Sequence, residues 1–159
     1  MAESGSRSIE IRWVGVNDPS LAALIDRLDA ELQTIYPAEA IFGLDLEAAH
    51  QGGEVVFAAA YDGDRPVGCG ALRPLGEPGM LELKRFYVDP AYRGRGVASG
   101  ILRFLEDHAR REGYSIVRLE TGELLEEAVR LYRKFGYTPI DRYGPYVHCE
   151  ESYCMQKRL

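Results

Sequence analysis

Hydrophobic positions along the chain switch between a two-residue and a three-to-four-residue rhythm, the periods of strands and helices. A modest alternation predicts a first strand at 8–14. Leu21, Leu24, Ile25, Leu28, Leu32 and Ile35 then recur at helical spacing. They predict an amphipathic helix that opens on Asp18 as N-cap, with Pro19 at its first position, and is ended by Pro37. A shorter helix is expected at 45–51, stopped by Gly52 and Gly53. The apolar run at 54–61, the turn Asp62-Gly63-Asp64-Arg65 and the extended pattern at 66–72 read as a β-hairpin. After a loop at 76–79, a strand at 81–88 ends at Asp89-Pro90. A second long helix is predicted at 97–111, with Val97, Ala98, Ile101, Leu102, Leu105 and Ala109 on one face and Gly113 closing it. The β-branched stretch 116–121 predicts another strand. Leu124, Leu125, Ala128, Val129, Leu131, Tyr132 and Phe135 mark a third long helix that stops at Gly136. The last strands fall at 137–140 and 152–157, on either side of a loop at 141–151.

Consecutive strands between 54 and 88 imply antiparallel pairing. The strands at 81 and 116 are joined through a helix, which implies a parallel, right-handed crossover. The expected fold class is therefore α/β: a mixed, mostly antiparallel sheet with helices on both faces. No internal repeat or low-complexity linker divides the chain, so residues 8–159 are expected to form a single domain, preceded by a flexible N-terminal arm at 1–7 rich in Ser, Gly and Glu.

At 159 residues, with 46% hydrophobic and 28% charged positions, the chain is long enough to bury a real core. Nothing approaches the ~20 apolar residues a membrane span needs, and residues 1–7 lack the apolar region of a secretory signal. Cys69, Cys149 and Cys154 have no metal-ligand or disulfide-framework spacing, which fits three reduced side chains in a cytoplasmic setting. His50, His108 and His148 lie far apart, so no metal is expected. A net charge of −6 argues against a nucleic-acid binder and is compatible with a cationic substrate. Asp29, Glu31, Glu39 and Asp45 near the first helices point the same way, though a solvated face explains them equally well. Only Lys84, Lys134 and Lys157 are lysines among 19 basic residues, so arginine is the default base and a lone arginine says little.

The chemistry concentrates at Arg93-Gly94-Arg95-Gly96-Val97-Ala98, between the strand at 81–88 and the helix at 97–111. Glycines at a helix N-terminus expose N–H donors where the helix dipole already favours an anion, and arginines add forked donors suited to phosphate. Position 99 is Ser, so the G-x-G-x-x-G dinucleotide fingerprint fails, and no Lys-Ser or Lys-Thr pair supplies a P-loop.

A different pattern matches. Arg93-x-x-Gly96-x-Ala98, preceded by Lys84-Arg85-Phe86-Tyr87-Val88-Asp89-Pro90, resembles the [QR]-x-x-G-x-[GA] acetyl-CoA signature of the GNAT N-acetyltransferases. Glu120-Thr121-Gly122 and the stretch from Ala128 through Leu131-Tyr132 to Gly136-Tyr137 resemble that superfamily's second block. The resemblance runs from Val55 to the C-terminus and is weakest at the N-terminal helices. It implies a central parallel strand pair that splays apart, with the acyl thioester meeting an amine between the strand ends at Val88 and Thr121. Acetyl-CoA would be the co-substrate. Its diphosphate would rest on Arg93, Gly94, Arg95, Gly96, Val97, Ala98 and Ser99, and its arm would run beside Phe86, Tyr87 and Val88, pairing with backbone groups of Phe86 and Val88. A backbone N–H near Val88 would polarise the thioester carbonyl. Tyr132 matches the family tyrosine that protonates the departing sulfur, and Glu82 resembles the general base of several members.

Strand alternation places Glu82, Lys84, Phe86 and Val88 on one side and turns Arg85 and Tyr87 to the other. Each role has a plain competitor: Tyr132 as a core aromatic, Glu82 as a surface carboxylate or one ion-paired with Lys84 or Arg118, and Glu120 as the rival base on the neighbouring strand. The aromatic loop Tyr143-Gly144-Pro145-Tyr146 reads equally as a flank of the acceptor site and as a rigid turn. One position departs from the family: many members carry Asn three residues before the Ala128 position, and this chain has Leu125. The expected activity is direct acetyl transfer to the primary amine of a small molecule. The alternatives are acetylation of peptide or protein lysines and a non-catalytic acyl-CoA-binding module. Nucleic-acid and membrane partners are not expected, and a homodimer is expected only by analogy with the family.

Overall fold

The computed structural model describes residues 8–44 and 54–159. The expected arm at 1–7 and the expected helix at 45–51 lie outside these residues. In chain order the elements are β1 (Ile9–Val14), α1 (Pro19–Gln33), β2 (Val56–Asp62), β3 (Arg65–Pro74), β4 (Met80–Val88), α2 (Val97–Arg111), β5 (Ile116–Gly122), α3 (Glu126–Lys134), β6 (Thr138–Ile140) and β7 (Ser152–Arg158). The strands form one seven-stranded sheet in the order β1-β2-β3-β4-β5-β7-β6. Every adjacent pair is antiparallel except β4 and β5, which run parallel. The fold class is thus the mixed α/β sheet expected from the order of elements.

Helices cover both faces. On one, α2 lays Val97, Ile101, Leu102, Leu105 and Ala109 against Ala58, Ala60, Leu81, Leu83 and Val88. On the other, Leu21, Leu24, Ile25 and Leu28 of α1 pack on Phe57, Ala59, Tyr61, Cys69, Ala71 and Tyr87. β2 therefore buries both its sides, which is why its sequence reads as a continuous apolar run rather than an alternating one. Asp18 caps α1 as expected, accepting from Ser20 N at 2.8 Å. The helix ends at Gln33, earlier than the apolar stripe implies. Ile35 consequently points outward at 39% exposure, and Tyr36 turns in.

Two features of the sheet shape the site. First, β4 and β5 pair only from Met80–Ile116 to Leu83–Leu119. Beyond that point each strand follows its outer neighbour: β4 stays with β3 as far as Val88–Gly68, and β5 stays with β7 as far as Gly122–Ser152. The two strands splay, as the family resemblance implies. Second, β4 carries a bulge. Lys84 sits opposite Ala71 and Tyr87 opposite Cys69, leaving Arg85 and Phe86 across from Gly70 alone. Arg85 adopts φ +53°, unusual for a residue with a side chain. Its guanidinium meets Asp29 of α1 at 2.5 Å, and its carbonyl accepts from Cys69 Sγ at 3.3 Å, holding the bulge in place. Gly70 leaves the room, since a Cβ there would stand 3.0 Å from Leu105 and 3.2 Å from Phe86.

This bulge corrects the expected facing of β4. A strict two-residue alternation would set Phe86 and Val88 beside Glu82 and Lys84. The extra residue resets the alternation instead. Glu82, Lys84, Arg85 and Tyr87 share the α1 face, while Leu81, Leu83, Phe86 and Val88 share the α2 face. Arg85 pairs structurally, as anticipated, but on the same side as Glu82.

Candidate active site

The turn between β4 and α2 has the geometry of an anion seat. Gly94 and Gly96 take φ +79° and +84°, conformations that cost a side-chain-bearing residue about 1–2 kcal/mol. Gly96 is the N-cap of α2 and brings no side chain to the first-turn donors, so the N–H groups there are left to an incoming acceptor. The turn is exposed, Val97 is buried, and Ala98 and Ser99 are half-buried. The two arginines are engaged differently from a simple phosphate fork. Arg93 donates through Nε to the Val88 carbonyl at 2.8 Å and reaches both carboxylate oxygens of Glu31 at 2.8 and 2.9 Å. It ties the turn to α1. Arg95 lies over the Tyr92 ring at 5.1 Å.

Where β4 and β5 part, a cavity of about 130 Å³ opens. Its wall includes Leu28, Leu32, Tyr36 and Phe42 from the α1 side and Leu125, Ala128 and Tyr132 from the α3 side. Lys84, Arg85 and Phe86 form one strand's margin, and Glu120, Thr121 and Gly122 the other's. Tyr132 and Phe86 belong to the packing on the α2 face and Leu28 to that on the α1 face. The cavity therefore passes through the sheet.

Glu120 and Tyr132 both line it. Burial, aided by the field of Glu82, pushes the Glu120 carboxyl up to about 7, against the opposing pull of the Ser152 hydrogen bond and of Lys84. Ser152 Oγ donates to Glu120 Oε2 at 2.7 Å. A carboxyl poised there exchanges protons near neutrality. Tyr132, 5% exposed, touches the rings of Phe86 and Tyr137 at 5.9 and 5.8 Å. Burial and the Glu120 charge both raise its phenol, so it stays protonated and can serve as a donor. Packing and cavity-lining thus coincide in one side chain.

Glu82 is placed otherwise. It is completely buried and is absent from the cavity wall. Arg73 Nε donates to its Oε1 at 2.7 Å, and the hydroxyls of Tyr143 and Tyr146 donate to its Oε2 at 2.5 and 2.8 Å. Its cationic partner is thus Arg73, directly opposite on β3, and not Lys84 or Arg118. The aromatic loop accordingly does more than turn: it anchors on Glu82. Tyr146 also accepts from Lys84 Nζ at 2.9 Å, which links Glu82 to a cavity residue through one hydroxyl.

Tyr36 is a cavity residue with no signature in the sequence, where it appears only as an aromatic before Pro37. Its hydroxyl accepts from Leu124 N at 3.2 Å and lies over Gly122, where a Cβ would overlap it. Glu120-Thr121-Gly122 thus ends in glycine because α1's terminus crosses there. Gly122→Ala is expected to destabilise the fold by about 1–3 kcal/mol through overpacking, read as a lower urea midpoint at unchanged slope. Leu125 occupies the N-cap of α3 without a side-chain hydrogen bond, so the polar contact an Asn would make there is missing. Glu126 and Glu127 in the first turn partly offset that loss through the helix dipole.

Among the described residues no cluster of His, Cys, Asp or Glu could hold a metal ion, and no helix is long and apolar enough to cross a membrane. The chain is similar to an IAA acetyltransferase of Azospirillum brasilense, 36% identical over 140 residues that cover 88% of this chain and 91% of that one. It superposes on the crystal structure of a candidate acyl-CoA N-acyltransferase from Klebsiella pneumoniae with a TM-score of 0.80 at 32% identity, covering 96% and 99% of the two chains. The PaiA N-acetyltransferase of Thermoplasma acidophilum, solved in complex with coenzyme A, shares the fold at a TM-score of 0.71, 21% identity, and coverage of 96% and 99%. The family model described as Acetyltransferase (GNAT) family matches residues 21–137, from the first turn of α1 through the end of α3, and the chain belongs to that family.

Proposed function

We infer that the protein is an acetyl-CoA-dependent N-acetyltransferase that moves the acetyl group directly onto the primary amine of a small molecule. The observation that carries this reading is the cavity through the sheet with Glu120 and Tyr132 on its wall. Such a passage lets a thioester arrive from the α2–α3 face and an amine from the α1 face, so that both substrates are held at once and no acyl-enzyme is needed. Membership of the family supports acetyl-CoA as co-substrate, as does the donor-rich turn at Gly94 and Gly96.

The steps follow from the residues. An incoming ammonium gives a proton to the Glu120 carboxylate and becomes a nucleophile. Nitrogen attacks the thioester carbon, and a backbone N–H near Val88 stabilises the oxyanion. As the tetrahedral adduct collapses, the C–S bond breaks and Tyr132 supplies a proton to the sulfur. The second N–H proton, released as the amide forms, balances the one taken from the phenol. In this reading Glu82 positions the Tyr143–Tyr146 loop, and Glu120 holds the base role that the resemblance first implied for Glu82.

A thiol-release assay across a panel of amines tests the whole scheme. Amine-dependent formation of CoA is the expected result. Silence with every amine, although calorimetry registers acetyl-CoA binding, would refute catalysis and leave a binding module. Tyr132→Phe is expected to lower turnover about 100-fold with unchanged acetyl-CoA affinity. The compact cavity favours a small acceptor over a lysine presented on a folded protein surface.

A further inference from the structure

Two cations, Lys84 and Arg85, line the cavity, a third, Arg73, pairs with Glu82 behind its wall, and the three are not matched alike. Arg73 is paired with Glu82 at 2.7 Å and Arg85 with Asp29 at 2.5 Å. Lys84 is 8% exposed, yet its hydrogen-bond partners among the described residues are neutral: the Phe42 carbonyl at 3.3 Å and the Tyr146 hydroxyl at 2.9 Å. An ammonium has three N–H donors, and among the described residues no carboxylate stands within ion-pair reach of this one. A buried charge left with neutral partners is costly unless an opposite charge completes it. The third donor belongs to a side chain that lines the cavity.

Position sharpens the point. Lys84 and Glu120 each stand one residue beyond Leu83–Leu119, the last paired rung of β4 and β5. They flank the opening from opposite strands. A plain ammonium entering here would face Glu120 favourably but meet the Lys84 charge beside it, whose burial outweighs the favourable fields of Glu82 and Glu120. An acceptor bearing its own carboxylate would match both groups at once.

We propose that the acceptor is a small amino carboxylate, its amine directed to Glu120 and its carboxylate bound by Lys84 Nζ. This rests on the acetyl-transfer reading and names the substrate class for the same site. Tyr146 fixes the ammonium in place, because it accepts from Lys84 while donating to Glu82. The Arg73–Glu82–Tyr146 chain, buried at Glu82 and Tyr146, thereby becomes the support of a specificity residue.

The test uses matched acceptors, each amino acid beside its carboxamide and its decarboxylated amine, assayed by thiol release with saturating acetyl-CoA. For the wild type, kcat/KM for the amino acid should exceed that for the carboxamide by about 100-fold, the worth of a charge-assisted hydrogen bond in a buried site. Lys84→Met should collapse that ratio toward unity, chiefly through KM. Lys84→Gln serves as a second variant should the methionine substitution unfold the protein, with far-ultraviolet circular dichroism as the check. Equal rates for acid and carboxamide in the wild type would overturn the proposal, as would a ratio that survives both substitutions. Calorimetric titration of the CoA-bound protein with the amino acids separates this from failure of the parent reading. Carboxylate-dependent binding lost in the Lys84 variants, without turnover, would uphold the anion site and reject acetyl transfer; amine-dependent turnover indifferent to the carboxylate would do the reverse.

Discussion

Glu120→Gln is expected to lower the rate of thiol release by about 100- to 1,000-fold, the share usually carried by a general base, while acetyl-CoA affinity stays unchanged. The substitution keeps an oxygen that can accept from Ser152 Oγ and preserves the volume, so the loss reports the missing proton acceptor. The pH profile gives an independent reading. In the folded protein the Glu120 carboxyl titrates at about 7, and only its ionised form can take a proton. Wild-type kcat/KM should therefore climb as pH rises through about 7 and then level, and the variant should lack this inflection. Stability moves the opposite way. A carboxyl raised by burial binds its proton more tightly in the folded state than in the unfolded chain, so its contribution is complete below the ordinary carboxylate range and disappears as pH rises through about 7. Glu120→Gln should accordingly gain thermal stability relative to wild type at pH 8 and not at pH 4. A variant that keeps its rate and its pH inflection would remove Glu120 from the mechanism.

Glu82→Gln is expected to act mainly on stability. The residue is completely buried and serves Arg73, Tyr143 and Tyr146 together, so neutralising it weakens three contacts and leaves Arg73 without its countercharge. A cost of about 3 kcal/mol follows, within the range for breaking a buried, hydrogen-bonded charge pair. For a chain of this size that corresponds to a fall in melting temperature of about 6–12 °C. Turnover at a temperature where the variant is folded should drop far less than in Glu120→Gln. The converse pattern, a near-inactive but stable Glu82→Gln beside an active Glu120→Gln, would exchange the two roles and return the base to Glu82. Melting curves and rates measured on the same two preparations decide it.

These two carboxylates also mark how far the sequence reaches. Both stand on strands identifiable from composition and length, and both were candidates for the same role. What separates them is surroundings. Arg73 is nine residues from Glu82, and Tyr143 and Tyr146 lie more than sixty residues away, yet all three converge on it through β3 pairing and a loop with no periodicity to read. Ser152 reaches Glu120 from β7 in the same manner, across the register Gly122–Ser152. Alternation misassigned Phe86 and Val88 because a bulge is set by local fit between two strands, here Gly70 under α2 and Arg85 against Asp29, and leaves no mark in hydrophobic periodicity. Tyr36 escaped for a related reason: α1 stops at Gln33, and the residue that enters the cavity lies just beyond it, off the helical stripe.

The sequence by itself determined the order and type of the described elements, the parallel crossover between β4 and β5, the glycine turn that opens α2, and through its paired motifs the family. Those properties are written locally, in periods of two and 3.6, in caps and in positive-φ glycines, so neighbours along the chain suffice to specify them. Tertiary structure alone decided which carboxylate borders the cavity and which is locked inside a hydrogen-bond network, how Arg93 spends its donors, and that Lys84 stands beside the opening with neutral partners. Those outcomes depend on burial and on charges brought together from distant segments, and desolvation and Coulomb fields act through space rather than along the chain.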